Sequence, residues 1–177
     1  MNRLLSISAL GLALVGAGFT TLSAEAASRR VVHDNAQGGV TASAVGARQG
    51  ANGTAVRGRA VRSDGQGNAT AVSGAAVKGV NGGTAVRAGK TTRAADGSAQ
   101  HQSGLSAQSA KGSVESSGTA SRDAAGNVTQ ARSSTLTSAT TGDTMKTSSS
   151  YSKDSGVTRS ASCYNASGAS IACPTRP

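Results

Sequence analysis

Nine glycines recur along the chain at Gly39, Gly53, Gly67, Gly83, Gly97, Gly112, Gly126, Gly142 and Gly156. Each opens a short run of small, polar or β-branched residues, such as Gly-Thr-Ala, Gly-Ser-Val or Gly-Val-Thr. The successive spacings are 14, 14, 16, 14, 15, 14, 16 and 14 residues. Such regularity means that the chain is built from one short unit, which cannot bury a face alone and must pair with its neighbours. Turn-forming residues precede the marks: Ala51-Asn52, Asp64-Gly65-Gln66, Asn81-Gly82, Ala95-Asp96, Ala124-Ala125 and Thr140-Thr141. Asn-Gly and Asp-Gly suit turns because both residues tolerate positive φ.

A second glycine falls near the middle of most units, at Gly46, Gly58, Gly74, Gly89, Gly104 and Gly118, and serines around Ser133 and Ser149 replace it later. The intervening segments are rich in Thr, Val, Ser and Ala. In the run from Thr54 to Val61, Val56, Gly58 and Ala60 alternate with Arg57 and Arg59, which is the period of a strand. Two architectures suit this pattern. In a β-solenoid each unit is one coil and the mid-unit glycine turns a corner. In an antiparallel meander each unit is one strand and that glycine is a bulge or kink. Glycine weakens a strand interior, so the recurrence favours corners. The expected fold is all-β and repetitive, a solenoid-like stack of units of 14–16 residues. The alternatives are an antiparallel meander and a largely disordered low-complexity chain.

Composition narrows the function. Beyond residue 26 the large apolar and aromatic side chains other than valine are few: Leu105, Leu136, Ile171, Met145, Tyr151 and Tyr164. Ordering a chain of this size costs on the order of 200 kcal/mol of conformational entropy. Ordinary domains offset that by burying Leu, Ile and Phe, at about 1.5–3 kcal/mol each. Beyond residue 26 this chain has too few of them, so a compact globular enzyme is not expected.

The N-terminus reads as a secretory signal peptide over residues 1–26. A cationic start, Met1-Asn2-Arg3, precedes an uncharged run from Leu4 to Leu22. Ala24-Glu25-Ala26 then supplies a small-x-small cleavage pattern. No cysteine follows the run closely, so a lipid-anchored product is not expected. Residues 27–38 read as a polar lead, 39–160 as the repeat region, and 161–177 as a closing hairpin. The chain's two cysteines, Cys163 and Cys173, flank the turn signal Asn165-Ala166-Ser167-Gly168. In an exported protein that reads as a disulfide-closed cap over the last unit.

Charge is the remaining signal. The formal net charge is +10. Between Arg48 and Arg93 lie Arg48, Arg57, Arg59, Arg62, Lys78, Arg87, Lys90 and Arg93, with Asp64 the one acid. This basic stripe is the candidate anion-binding site. It attracts polyanions through a salt-sensitive, non-specific term. Alternatively, it only keeps the chain soluble and its edges unpaired. Sequence-specific reading of nucleic acid is not expected, because stacking aromatics are almost absent.

Catalytic motifs fail on spacing. Gly83 to Gly89-Lys90-Thr91 has five intervening residues where a phosphate-binding loop has four. Ser150-Tyr151-Ser152-Lys153 matches Ser-x-x-Lys without its companion elements. His33 and His101 are remote from each other, and no paired carboxylates occur. No catalytic residue, metal ligand or cofactor is assigned. The units resemble, in composition, those of exported bacterial repeat proteins such as fibre subunits, adhesin stalks and ice-binding solenoids. Internal Gln and Asn ladders are lacking and Thr-x-Thr appears only at Thr135-Leu136-Thr137, so no family is assigned. The expectation is an exported, non-enzymatic repeat protein of the periplasm, cell surface or extracellular space, with a structural or surface-interaction role. Its partners are other copies of itself or anionic polymers: glycan, lipid headgroups or extracellular nucleic acid.

Overall fold

The structure, a computed structural model, describes residues 26–174. The expected signal peptide lies outside the described residues, apart from Ala26. The strands, in chain order, are β1 (Ala26–Asp34), β2 (Val40–Gly50), β3 (Gly53–Ser63), β4 (Ala69–Gly79), β5 (Thr84–Arg93), β6 (Ala99–Ser109), β7 (Gly112–Arg122), β8 (Val128–Ser138), β9 (Thr144–Ser152), β10 (Gly156–Tyr164) and β11 (Ser170–Ile171). Their order in the single sheet is their order in the chain, and each pairs antiparallel with the next. No helix occurs among the described residues.

This topology fits the meander and corrects the solenoid expectation. Every repeat glycine lies in a turn or opens a strand, so one unit is one strand plus one turn. The mid-unit glycines are not corners. Gly46, Gly58, Gly74, Gly89, Gly104 and Gly118 all lie inside strands, and none has positive φ. The chain therefore runs straight through them and reverses only at the unit boundary, where a short turn suffices for antiparallel pairing. Residues 27–38, read from the sequence as a polar lead, form most of β1 and the first turn. No repeat glycine announces β1, and its residues are polar enough to pass for a linker.

The turns explain the residues before each mark. In the five-residue turns 35–39, 94–98, 123–127 and 165–169 the first amide donates to the fifth carbonyl, and the fourth amide donates back to the first carbonyl. The fourth residue is a glycine at positive φ, between 74° and 87° in these four turns. An Asx side chain closes several of them. Gln37 and Gly39 amides donate to Asn35 Oδ1 at 3.0 and 3.2 Å. Asn127 N donates to Asp123 Oδ1 at 2.8 Å. These are Asx turns, which replace backbone partners with a side-chain oxygen. The shorter connections 51–52 and 110–111 lead into Gly53 and Gly112, where φ is 122° and 146°. A β-carbon at Gly112 would lie 2.1 Å from the Thr137 carbonyl oxygen, so only glycine admits this approach of β8.

The sheet is one layer thick. Cys163 is the sole buried hydrophobic side chain among the described residues, at 4% exposure, and no polar side chain is buried. Order rests on the main-chain ladder, the turns and cross-strand side-chain pairs, which are worth about 0.2–1 kcal/mol each. At the C-terminal edge β10 pairs with the two-residue β11 through Cys163–Ile171 and Tyr164–Ser170. The Cys163–Cys173 disulfide, with Cα atoms 5.2 Å apart, holds this hairpin closed.

Candidate functional site

Directly paired residues of antiparallel strands share a face, and neighbours along a strand alternate. The pairing therefore sorts every strand residue onto one of two faces. The stripe expected from sequence is divided by this rule. Arg48, Arg57, Arg59, Arg87 and Arg93 fall on one face, and Arg62, Lys78 and Lys90 on the other. The first face also gains Arg30, Arg122, Arg132 and Arg159 from strands outside the stripe. This arginine face carries one strand acid, Asp34, at its border. Those four arginines were missed because they are far apart in the chain. Strand alternation alone could have placed Arg132 and Arg159, once the phase between successive units was known.

Six of the arginines occupy the two middle rows. One row contains Arg30, Arg59, Arg132 and Arg159, and the adjacent row contains Arg57 and Arg87. β3 and β5 are two strand spacings apart, so Arg57 and Arg87 stand about 10 Å from each other at the backbone. The residues between them in these rows are chiefly Gly, Ser and Ala. The small residues serve as seats. Arg57 Nε lies 3.6 Å from where a β-carbon on its partner Gly46 would sit, and Arg132 Nε lies 3.7 Å from that point on Gly118. Gly89 receives His101 in the same way, at 3.5 Å. His101 is also hydrogen-bonded through Nδ1 to Thr91 Oγ1 at 2.8 Å.

The Leu, Ile and Met side chains share this face, with part of the valines. Val77, Ala85, Ala107, Val114, Leu136, Met145, Cys163 and Ile171 form one continuous row. Leu105 stands in the adjoining row, opposite Arg87. Every Leu, Ile and Met of the described residues is thus on the arginine face. Leu105, Leu136 and Ile171 remain 37–39% exposed. Two shallow depressions mark the surface. One, of about 390 Å³, is lined by His101, Ser103, Gln130, Arg132, Tyr151 and Arg159 among others. The second, of about 370 Å³, lies along Val77, Ala85, Ala107 and Val114.

The opposite face is hydroxylated over β6 to β10, and over β1 to β5 it carries Val31, Val45, Val56, Val72 and Val86. Its middle row runs Arg29, Val45, Gly58, Gly74, Ala88, Gly104, Ser117, Ser133, Ser148 and Ser160. Ser117 and Ser133 hydroxyls meet at 2.9 Å, Ser148 and Ser160 at 2.7 Å, and Ser121 and Thr129 at 2.7 Å. Lys146 Nζ sits 5.3 Å from the Tyr164 ring centroid on this side.

The acids are mostly drawn into the turns. Asp64 accepts from the Asn68 side chain and the Gln66 and Asn68 amides. The Asn68 side-chain bond, foremost, holds its carboxyl below the usual range. Asp96 is lowered first by Ser98, and Asp123 first by the Asn127 side chain. Ionised and occupied at one end of the sheet, these carboxylates do not neutralise the arginines in the middle. Among the described residues no group of three His, Cys, Asp or Glu side chains could hold a metal ion, and no helix is long and apolar enough to cross a membrane.

No protein family, curated protein or solved structure matches this chain.

Proposed function

We propose that the chain is an exported, non-enzymatic structural protein of the cell envelope or extracellular matrix, and that it self-associates through its sheet edges. The disulfide suits an oxidising, exported environment. The observation that carries the reading is the open sheet. β1 pairs on one side only along its nine residues. β10 is covered by β11 only at Cys163 and Tyr164, leaving Gly156–Ser162 unpaired on that side. An edge with free amides and carbonyls is a template for another strand. β1 and β10 run in opposite directions in the meander. One copy's β1 laid against another's β10 therefore continues the alternation, and such a head-to-tail contact propagates instead of closing.

Arg29 and Arg30 on β1 and Arg159 on β10 charge these edges and oppose joining at low salt. Salt screens exposed charges, so assembly strengthens as salt rises. Light scattering and electron microscopy of the oxidised protein across a salt series test this. Elongated particles that shorten when Val31 or Thr158 is changed to proline support the reading. A monodisperse monomer at every salt and concentration overturns it.

The arginine face favours a second reading, a basic binding module for anionic polymers. Binding of that kind weakens with salt, the opposite sign to edge assembly.

A further inference from the structure

We infer that the arginine face is a docking surface for an anionic lipid bilayer, with guanidinium groups on the headgroup phosphates and the apolar row against the acyl boundary. The inference rests on the second reading above and narrows its partner.

Three observations converge on a lipid surface. The first is charge. Arg30, Arg57, Arg59, Arg87, Arg132 and Arg159 cross the middle of one face, and the face's one strand acid stands at its border. Guanidinium forks match phosphate oxygens in pairs and shed water more readily than ammonium. The second is the sorting of apolar side chains. Leu105, Leu136, Met145, Val77 and Val114 lie on this same face, and Leu105, Leu136 and Val77 are more than a third exposed. A hydrated polysaccharide would leave them against water. A nucleic acid would call for a row of stacking rings, and among the described residues this face offers Tyr151 and His101 alone. A surface bearing both anionic headgroups and hydrocarbon uses both kinds of side chain, as interfacial amphipathic segments do. The third is the contrast with the other side. The opposite face has no Leu, Ile or Met among the described residues; its apolar side chains are the valines Val31, Val45, Val56, Val72 and Val86 of β1 to β5, and over β6 to β10 it is chiefly Ser, Thr and Gln, so the long apolar side chains are confined to the arginine face. Almost nothing is buried in the free sheet, so covering the apolar row also adds the layer that the fold lacks.

The test compares two triple variants with the same net charge, drawn from the same segment. Arg57→Ser/Arg59→Ser/Arg87→Ser empties the arginine face, and Arg62→Ser/Lys78→Ser/Lys90→Ser empties the other. Binding to vesicles of phosphatidylglycerol and phosphatidylcholine is measured by sedimentation, with phosphatidylcholine vesicles as the neutral control. The first triple should lose affinity on the order of 100-fold, at about fivefold per arginine, and the second should change only a few-fold. Leu105→Thr/Leu136→Thr/Met145→Thr should lose about 10-fold or more on vesicles and bind dextran sulfate unchanged.

An environment-sensitive fluorophore on Ser103→Cys of the arginine face should shift to the blue with anionic vesicles, and the same label on Ser117→Cys of the opposite face should not. This readout requires no loss-of-charge variant to fold. Equal losses in the two charge triples, or equal shifts of the two labels, overturn the inference. Dextran sulfate binding with no vesicle binding overturns the lipid assignment and leaves the polyanion reading standing. Binding to neither overturns both.

Discussion

The Arg132 side chain lies over Gly118, its directly paired neighbour on β7, with Nε 3.7 Å from where a side chain on that glycine would begin. Arg57 and Gly46 repeat the arrangement between β3 and β2. Mid-strand glycine, which weakens a strand in isolation, here lies beside a long cation at a distance that a β-carbon would turn into ordinary van der Waals contact. The Arg57 Cγ also lies 3.8 Å from that point on Gly46, so the aliphatic stem runs over the neighbouring strand.

Glycine substitutions separate strand interiors from turns. A β-carbon at Gly58 would meet only the Ala44 carbonyl oxygen, at 3.9 Å, and Gly58 lacks positive φ. Gly58→Ala should raise stability by about 0.4–1 kcal/mol by restricting the unfolded chain. Gly112→Ala combines φ of 146° with a 2.1 Å clash and should cost about 1–3 kcal/mol or more. Urea midpoints at constant slope are the measurement. A costly Gly58→Ala would indicate that this glycine turns a corner after all.

The meander can be read out by cross-linking. Ser121 pairs with Thr129 near one turn, and Ser113 pairs with Thr137 at the far end of the same hairpin. Both Ser121→Cys/Thr129→Cys and Ser113→Cys/Thr137→Cys should oxidise to intrachain disulfides. Ser121→Cys/Gln130→Cys should not, because a slip of one residue sends the side chains to opposite faces. One coil per unit would bring together residues a constant distance apart in sequence, not pairs nested about a turn, so failure of the Ser113–Thr137 bridge would contradict the sheet order.

Acid should loosen the end of the sheet that carries the turns of Asp64, Asp96 and Asp123. Each of these carboxyls is held below its ordinary value of 3.8 by hydrogen bonds to the ionised form. A depressed folded pKa means stability that is complete above the unfolded value and lost as pH falls through the folded one. Stability should therefore be flat at neutral pH and decline below about pH 4. Replacing the three aspartates by asparagine should flatten that acid limb in a denaturation series. An unchanged limb would assign the decline to other groups.

Reducing the disulfide should act locally. The bond closes a sequence separation of 10 residues, worth about 2–3 kcal/mol on the chain-entropy model. Amides of β9, β10 and β11 should exchange faster with solvent after reduction, and those of β3 to β6 should be unaffected. Uniform loss of protection would mean that the sheet unfolds as one cooperative unit.

Much of this organisation is legible in the chain itself. Regular glycines at turn positions, strand-period alternation around Arg57 and Arg59, and a scarcity of Leu, Ile and Phe beyond residue 26 point to an all-β repeat without a core. They do so because each is a local property, set by φ, by the two-residue period of a strand, or by side-chain volume. The two cysteines about Asn165–Gly168 likewise dictate their own closure. The direction of the next strand is different. A mid-unit glycine permits a corner as readily as an extended backbone, and only pairing with neighbouring strands selects the second. The candidate site depended on that pairing too. Arg62 is three residues from Arg59 and faces the other way, whereas Arg159 is a hundred residues distant in the same row. Which charges share a face is decided by register across the sheet, a long-range relation that composition and spacing along one chain do not contain.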